Sequence, residues 1–394
     1  MSLIEVFHYG DCGSFDENNP LKLMEEEYVK EILYYIGSSK ANTLTINNLS
    51  EMISLEIGSL TNIIKKMKKL NLITEKDGLF TIAFTMILEK DLNEIDEFSK
   101  TIAYKVSDAI EKSKDEIYKI ASGFRSAENH DIDELLYHII ASHILDGLAI
   151  EALSESGLFK TSKLQKDNRD YILFAFEKSV KVNEFSDNLL CSCNSYRAKE
   201  LSFVSFGDAA GNRNDIYRFN RQVLSQINRI NAREETKANY TSILEKNNHE
   251  MILRCSNIVK EIVDNDNVYK TLDTEDRLYA DYLVSLGYLE EHSGTYKVNV
   301  PIFYPQDKDF ITAIHDILMA IISPILSEKF EQVEGSLNIS AIEHGVDVEE
   351  VLNEMWHQVF GNINESLVKN GMIKQPDFFE GEGRYLKAIF MKSY

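Results

Sequence analysis

The sequence predicts a mainly α protein with small β hairpins, an α+β chain built as two tandem copies of one unit. Three observations predict it. Residues 44–82 read as a helix, a tight turn, a second helix and a short hairpin. Long stretches with apolar residues at helical spacing follow that segment. The chain also repeats itself at a spacing of 214–216 residues. Each copy is expected to run helix–turn–helix–hairpin, long helix, then a helix and a terminal strand pair. The expected divisions are 1–20 (strand and loop), 21–90 (first helix–turn–helix–hairpin) and 91–180 (helical unit of the first copy). They continue as 181–240 (a connecting strand and an arginine-rich segment), 241–305 (the second, degenerate copy of the hairpin unit) and 306–394 (its helical unit).

From Leu44 to Ile53 the residues Ile46, Leu49, Met52 and Ile53 share one helical face, and Thr45 or Asn47 is placed to cap it. Ser54 to Gly58 supplies the turn, which Gly58 favours through its freedom of backbone angle. The second helix is expected from Ser59 to Leu70. Leu60, Ile63, Ile64, Met67 and Leu70 turn inward, and Ser59, Thr61, Asn62, Lys65, Lys66, Lys68 and Lys69 face out. Leu72-Ile73 and Leu79 to Ile82 then read as strands joined through Asp77-Gly78, a strong hairpin signal.

Asp91 to Lys119 carries an apolar stripe of Leu92, Ile95, Phe98, Ile102, Val106 and Ile110. Its counterpart, Phe310 to Phe330, is apolar on more sides and contains Pro324, a potential kink. Such helices serve a dimer seam or contact between the copies, and the broad apolar surface of the second favours contact within the chain. Over residues 143–179, ten of 37 positions match those 214 further on, from His143 and His357 to Ser179 and Ser393. A spacing of 216 aligns the hairpins, with Gly78 on Gly294 and Phe80 on Tyr296. Tyr9-Gly10-Asp11 is echoed by Phe206-Gly207-Asp208. Under the 216 spacing Lys65, Lys66, Lys68 and Lys69 fall on Asp281, Tyr282, Val284 and Ser285. The second copy keeps the apolar frame without the basic face, and the run from Asp264 to Tyr269 interrupts it.

Segment 44–82 resembles a winged helix-turn-helix of the general ArsR or MarR kind, over about 65 residues from Met24 to Leu88. The resemblance implies that the second helix reads DNA from the major groove. Thr61 and Asn62 would then meet base edges, with Ser59 beside them. Lys65, Lys66, Lys68 and Lys69 would meet phosphates, and Lys76 on the wing the neighbouring groove. It further implies double-stranded DNA as partner, a homodimer for a two-fold operator, and response to a small signal. The alternatives are a scaffold that binds protein through the same surface, and a ligand sensor or enzyme with a pocket between the copies.

The whole-chain charge of −22 weighs against DNA, because an acidic body repels phosphate at long range. The four lysines between Ile57 and Ile73, with no acid among them, invert that charge locally. A second basic stretch holds Arg213, Arg218, Arg221, Arg229 and Arg233 after the strand Leu201 to Phe206 and a glycine loop. There Arg213, Arg218 and Arg221 are candidates for an anion cradle. No stretch approaches 18 consecutive apolar residues, no signal peptide is visible, and four cysteines fit reduced thiols, so a cytoplasmic protein without a membrane span is expected. Cys191-x-Cys193 lacks the spacing of a redox or zinc pair. His130, Glu134 and His138 share a helix face but need further ligands to hold a metal. With no catalytic motif visible, the sequence predicts no enzyme, no cofactor and no metal.

Overall fold

The computed structural model describes residues 3–165, 168–220, 233–246, 251–265 and 272–392. Arg221, Arg229, Ser393 and the stretch from Asp266 to Tyr269 lie outside the described residues. In chain order the elements are β1 (Ile4–Asp11), α1 (Pro20–Leu23), α2 (Val29–Ser38), α3 (Ile46–Ile53), α4 (Ile57–Lys69), β2 (Ile73–Lys76), β3 (Leu79–Ile82) and β4 (Thr85–Ile87). Next come α5 (Leu92–Lys112), α6 (Lys114–Ala121), α7 (Ile132–Leu136), a π-helix (Tyr137–Leu148), α8 (Ala149–Glu155), β5 (Asp170–Glu177), α9 (Val180–Glu184), β6 (Leu190–Arg197) and β7 (Leu201–Asp208). The remainder is α10 (Ile216–Asn220), α11 (Glu234–Lys246), α12 (Met251–Asp264), α13 (Thr274–Ser285), β8 (Leu289–His292), β9 (Thr295–Val298) and β10 (Ile302–Phe303). The chain closes with α14 (Lys308–Ser336), α15 (Ser340–Glu343), α16 (Val348–Lys369), β11 (Phe378–Phe379) and β12 (Gly383–Met391). The class is mixed α+β, with helices dominant and several small sheets.

Two compact units divide the chain, and neither is continuous in sequence. Unit 1 takes residues 1–106, 149–186 and 320–362; unit 2 takes 107–148, 187–319 and 363–394. The cuts differ from the serial divisions read from sequence, because each unit combines residues from both expected copies.

Unit 1 holds a sheet in the order β1-β5-β4, with β1 antiparallel and β4 parallel to β5. Ile4 from the sheet and Val29, Ile32, Leu33, Leu49, Leu60 and Met67 from α2–α4 are fully withdrawn from water. The segment from the far end of the chain docks through polar pairs as well as packing. Asp91 accepts from the backbone N and hydroxyl of Ser340 at 3.0 and 2.9 Å, and His344 Nδ1 accepts from Ile82 N at 3.3 Å. Burial pushes the Asp91 carboxyl up, and the bonds from Ser340 and Leu88 oppose that rise.

Unit 2 holds a sheet in the order β10-β12-β7-β6, with β11 paired to β12. Again the long terminal strand, β12, lies antiparallel to an early strand, β7, and parallel to the short strand after the hairpin, β10. The registers correspond closely. Gly10 faces Tyr171 and Gly207 faces Tyr385; Met86 faces Ala175 and Ile302 faces Ile389. At both glycines a Cβ would collide with backbone: the carbonyl oxygen of Asp170 for Gly10, and that of Arg384 for Gly207. The π-helix presses on this sheet, and Tyr137 donates to Phe206 O at 2.9 Å. Arg384 spans Asp208 and Glu365 at 2.7 and 2.8 Å.

Several expectations shift by local rules. The long helix after the first hairpin breaks at Ser113 into α5 and α6, whereas α14 runs through Pro324. The expected terminal strand pair is present at the end of the chain as β11 and β12, whereas β5 ends the first half as a single long strand whose partners β1 and β4 lie far off in sequence. His138 is buried in the π-helix, while His130 lies within 3.7 Å of Glu134. By length and composition two helices, Ile132–Glu155 and Pro305–Phe330, are apolar enough to cross a membrane, with 61% and 22% of their apolar windows buried. The first is a core helix of this fold; in the second, Ile314, Leu318, Ile322 and Leu326 are buried.

Candidate nucleic-acid interface

The candidate surface is built by α3, α4 and the β2–β3 hairpin of unit 1. Thr45 caps α3 in a reciprocal box, with its hydroxyl accepting from Asn48 N and the Asn48 side chain accepting from Thr45 N. The chain then turns at Ser54, whose φ of 54° lies in the left-handed region. The expected turn residue, Gly58, instead sits inside α4, which starts at Ile57. Ser50 Oγ ties the turn by donating to Leu55 O at 2.6 Å. The hairpin closes through Asp77 and Gly78, both at positive φ (53° and 79°), the two-residue turn whose twist suits antiparallel strands. An isolated bridge from Leu44 to Phe80 pins the hairpin to the start of the motif.

Leu60, Ile64 and Met67 anchor α4 from within. Ser59, Asn62, Lys65, Lys66, Lys68, Lys69 and Lys76 are exposed and Thr61 is half-buried. Thr61 Oγ1 donates back to Ile57 O at 2.7 Å. The surface thus brings together all eight residues read from sequence, but their charges are not all open. Lys66 pairs with Glu26 at 2.7 Å, Lys68 with Glu75 at 2.5 Å, and Lys69 with Glu17 at 3.6 Å. Among the described residues, Lys65 and Lys76 make no ion pair. Glu17 and Glu26 come from the segment before α2, which a window on residues 57–73 does not include. Glu56 occupies the N-cap of α4 without a capping bond, and its carboxylate lies beside Gly58. Met52 and Ile57 add an apolar spot, 43% and 47% exposed.

In unit 2 the corresponding helix is α13, followed by a hairpin whose turn, Ser293-Gly294, repeats the two positive φ values. Tyr282 and Ser285, which stand where Lys66 and Lys69 stand, are buried. Helix α11 covers them: Thr236 donates to Ser285 O at 3.2 Å and Asn239 to Asp281 O at 3.3 Å. Sequence reading found the lost charge but not the cover.

Of the three arginines expected to cradle an anion, Arg213 and Arg218 are engaged by backbone carbonyls and Arg221 lies outside the described residues. Arg213 is buried and structural, donating to Ser205 O at 3.0 Å and Asp208 O at 2.6 Å. Arg218 donates to Asn212 O at 2.5 Å, and its own backbone N–H is held by Asp215. Arg213 serves buried carbonyls of β7, which need donors, whereas Arg218 serves an exposed loop carbonyl. Arg233 pairs with Glu382 at 2.8 Å. Unit 2 also contains two surface hollows, of about 440 and 550 Å³, which share Arg125 and Tyr304.

Compared with protein-family models, with curated proteins and with solved structures, the chain matches none of them.

Proposed function

We propose that the chain consists of two diverged winged-helix copies, and that the first copy contacts double-stranded DNA in a cytoplasmic transcription regulator. The matched strand registers and the twin turns at Asp77-Gly78 and Ser293-Gly294 support the duplication. The observation that carries the DNA reading is the exposed face of α4, which offers small polar groups near its start and lysines along its length in a strongly acidic protein. Phosphate contacts from such lysines position a helix, and Asn62 and Thr61 supply donors and acceptors for base edges. The buried face of α13 leaves one reader per chain, so a two-fold operator requires a homodimer.

A second reading has its own observation. Met52 and Ile57 are exposed beside Glu56, at the end of α4 that would enter a groove. An apolar spot with an acid suits a protein partner better than phosphate.

Titration against fragments of the gene's own upstream DNA, at several salt concentrations, separates the two. The DNA reading expects binding that weakens steeply with salt, and loss of binding in the Lys65→Glu, Lys66→Glu double variant at unchanged thermal stability. Absence of binding at low salt sinks the DNA reading.

A further inference from the structure

Strand β1 is an edge strand, whereas its counterpart in the other sheet is not. β7 is flanked by β12 on one side and β6 on the other; among the described residues β1 is flanked by β5 alone. The open side of β1 is therefore the side that β6 fills on β7. Leu3 O accepts from Lys178 N at 2.8 Å, and Ile4 faces Glu177. By the alternation of an antiparallel ladder, the odd-numbered residues of β1 bond to β5, and Val6, His8 and Gly10 turn their N–H and C=O groups outward. His8 and Gly10 are exposed, and Val6 is half-buried. Phe7 is 41% exposed although it stacks on Phe174, with ring centroids 5.5 Å apart. Ile4–Asp11 contains neither proline nor lysine, the usual guards of a free edge.

We infer that the open edge of β1 pairs antiparallel with β1 of a second copy of this chain, joining two three-stranded sheets across a two-fold axis. The strand's own sequence selects that occupant. Outward-facing residues must meet outward-facing residues, so the axis passes through Val6, Phe7 or His8. With the axis at Phe7, Val6 meets His8, Glu5 meets Tyr9, and each Phe7 meets its symmetry mate. With the axis at His8, Glu5 would oppose Asp11, and like charges directly opposite are destabilising. With the axis at Val6, Gly10 is left unmatched. The Phe7 register thus matches most of the edge, buries the exposed ring and sets no acid against an acid. The inference rests on the strand equivalence proposed above and locates the dimer that the DNA reading requires. A protein dimeric through β1 that binds no DNA keeps the inference and loses that reading.

Sedimentation of the full chain is the first test, with a concentration-dependent dimer expected. Val6→Pro removes an outward N–H at a site where an edge strand tolerates proline, so it should give a monomer with little change in melting temperature. A Phe7→Cys variant in a Cys193→Ser background tests the register without relying on Val6→Pro to fold. Opposed residues in a non-hydrogen-bonded pair stand about 4.5 Å apart, within disulfide reach. Oxidation should then link two chains at position 7, and Glu5→Cys in the same background should not link. A wild type monomeric at every concentration, a folded Val6→Pro protein that stays dimeric, or linking at position 5 as readily as at 7 overturns the inference.

Discussion

If α4 contacts DNA as proposed, replacing Glu17, Glu26 and Glu75 together with glutamine should make that binding stronger and more salt-sensitive. The magnitude follows from which lysines are already paired. Five lysines line α4 and the hairpin; Lys66, Lys68 and Lys69 have carboxylates within 2.7, 2.5 and 3.6 Å. A lysine that exchanges a carboxylate for a phosphate releases little counterion, so only Lys65 and Lys76 contribute fully. At about −0.9 per neutralised phosphate, the wild-type slope of log K against log salt is about −2 per reader, and the triple variant's about −4.5. Exposed ion pairs of this kind are worth a few tenths to about 1 kcal/mol each, so freeing three should tighten binding roughly tenfold at low salt. Fluorescence anisotropy on one duplex across a salt series measures both quantities. An unchanged slope and affinity in a folded triple variant would refute the reasoning, because it would mean these lysines do not face phosphate.

Other expectations concern stability. Glu354 is buried, and burial pushes its carboxyl up from 4.5 to about 8 against the opposing bond from Tyr9 at 3.3 Å. A raised acid favours the folded state when protonated, so its contribution is complete below about pH 4.5 and is lost as pH rises through about 8. Glu354→Gln should therefore melt higher than wild type above pH 8 and level with it at low pH; a constant offset across the range would contradict this. Gly10→Ala, at φ 81° and against the Asp170 carbonyl, should cost on the order of 1–3 kcal/mol in urea unfolding. Arg213→Met leaves two buried carbonyls without their donor and should destabilise by roughly 2–3 kcal/mol, whereas Arg218→Ala, at an exposed loop carbonyl, should cost less. Equal melting temperatures for these two variants would return Arg213 to the list of surface groups.

Local signals mark the elements of the first helix–turn–helix–hairpin. The cap at Thr45, the Asp77-Gly78 turn and the apolar stripe of α4 depend on neighbours within four residues, so their positions were legible. The turn falls where it is expected, but its left-handed residue is Ser54 and not Gly58, because a left-handed serine leaves no mark in composition. The pairing of β5 with β1 joins residues some 170 apart, and the short strand β4 pairs only by virtue of β5. Neither carries a local signal of its partner. The lysines of α4 were read correctly as exposed, yet their nearest anions include Glu17 and Glu26, which only the folded chain brings to them. Arg213 looked like a ligand-binding group for the converse reason: the carbonyls that claim it belong to a buried strand end.

The division of the chain into interleaved units bears on how the protein is made. Residues 1–106 and 149–186 of unit 1 are made well before the residues 320–362 that complete it. Trp356, Glu354 and the Ser340 partner of Asp91 all arrive in that late segment. Its earlier helices and hairpin must wait, incompletely packed, until residues 320–362 are made. A fragment ending near Ser186 lacks part of its own unit, and expressing that fragment alone should yield a chaperone-bound or aggregating product.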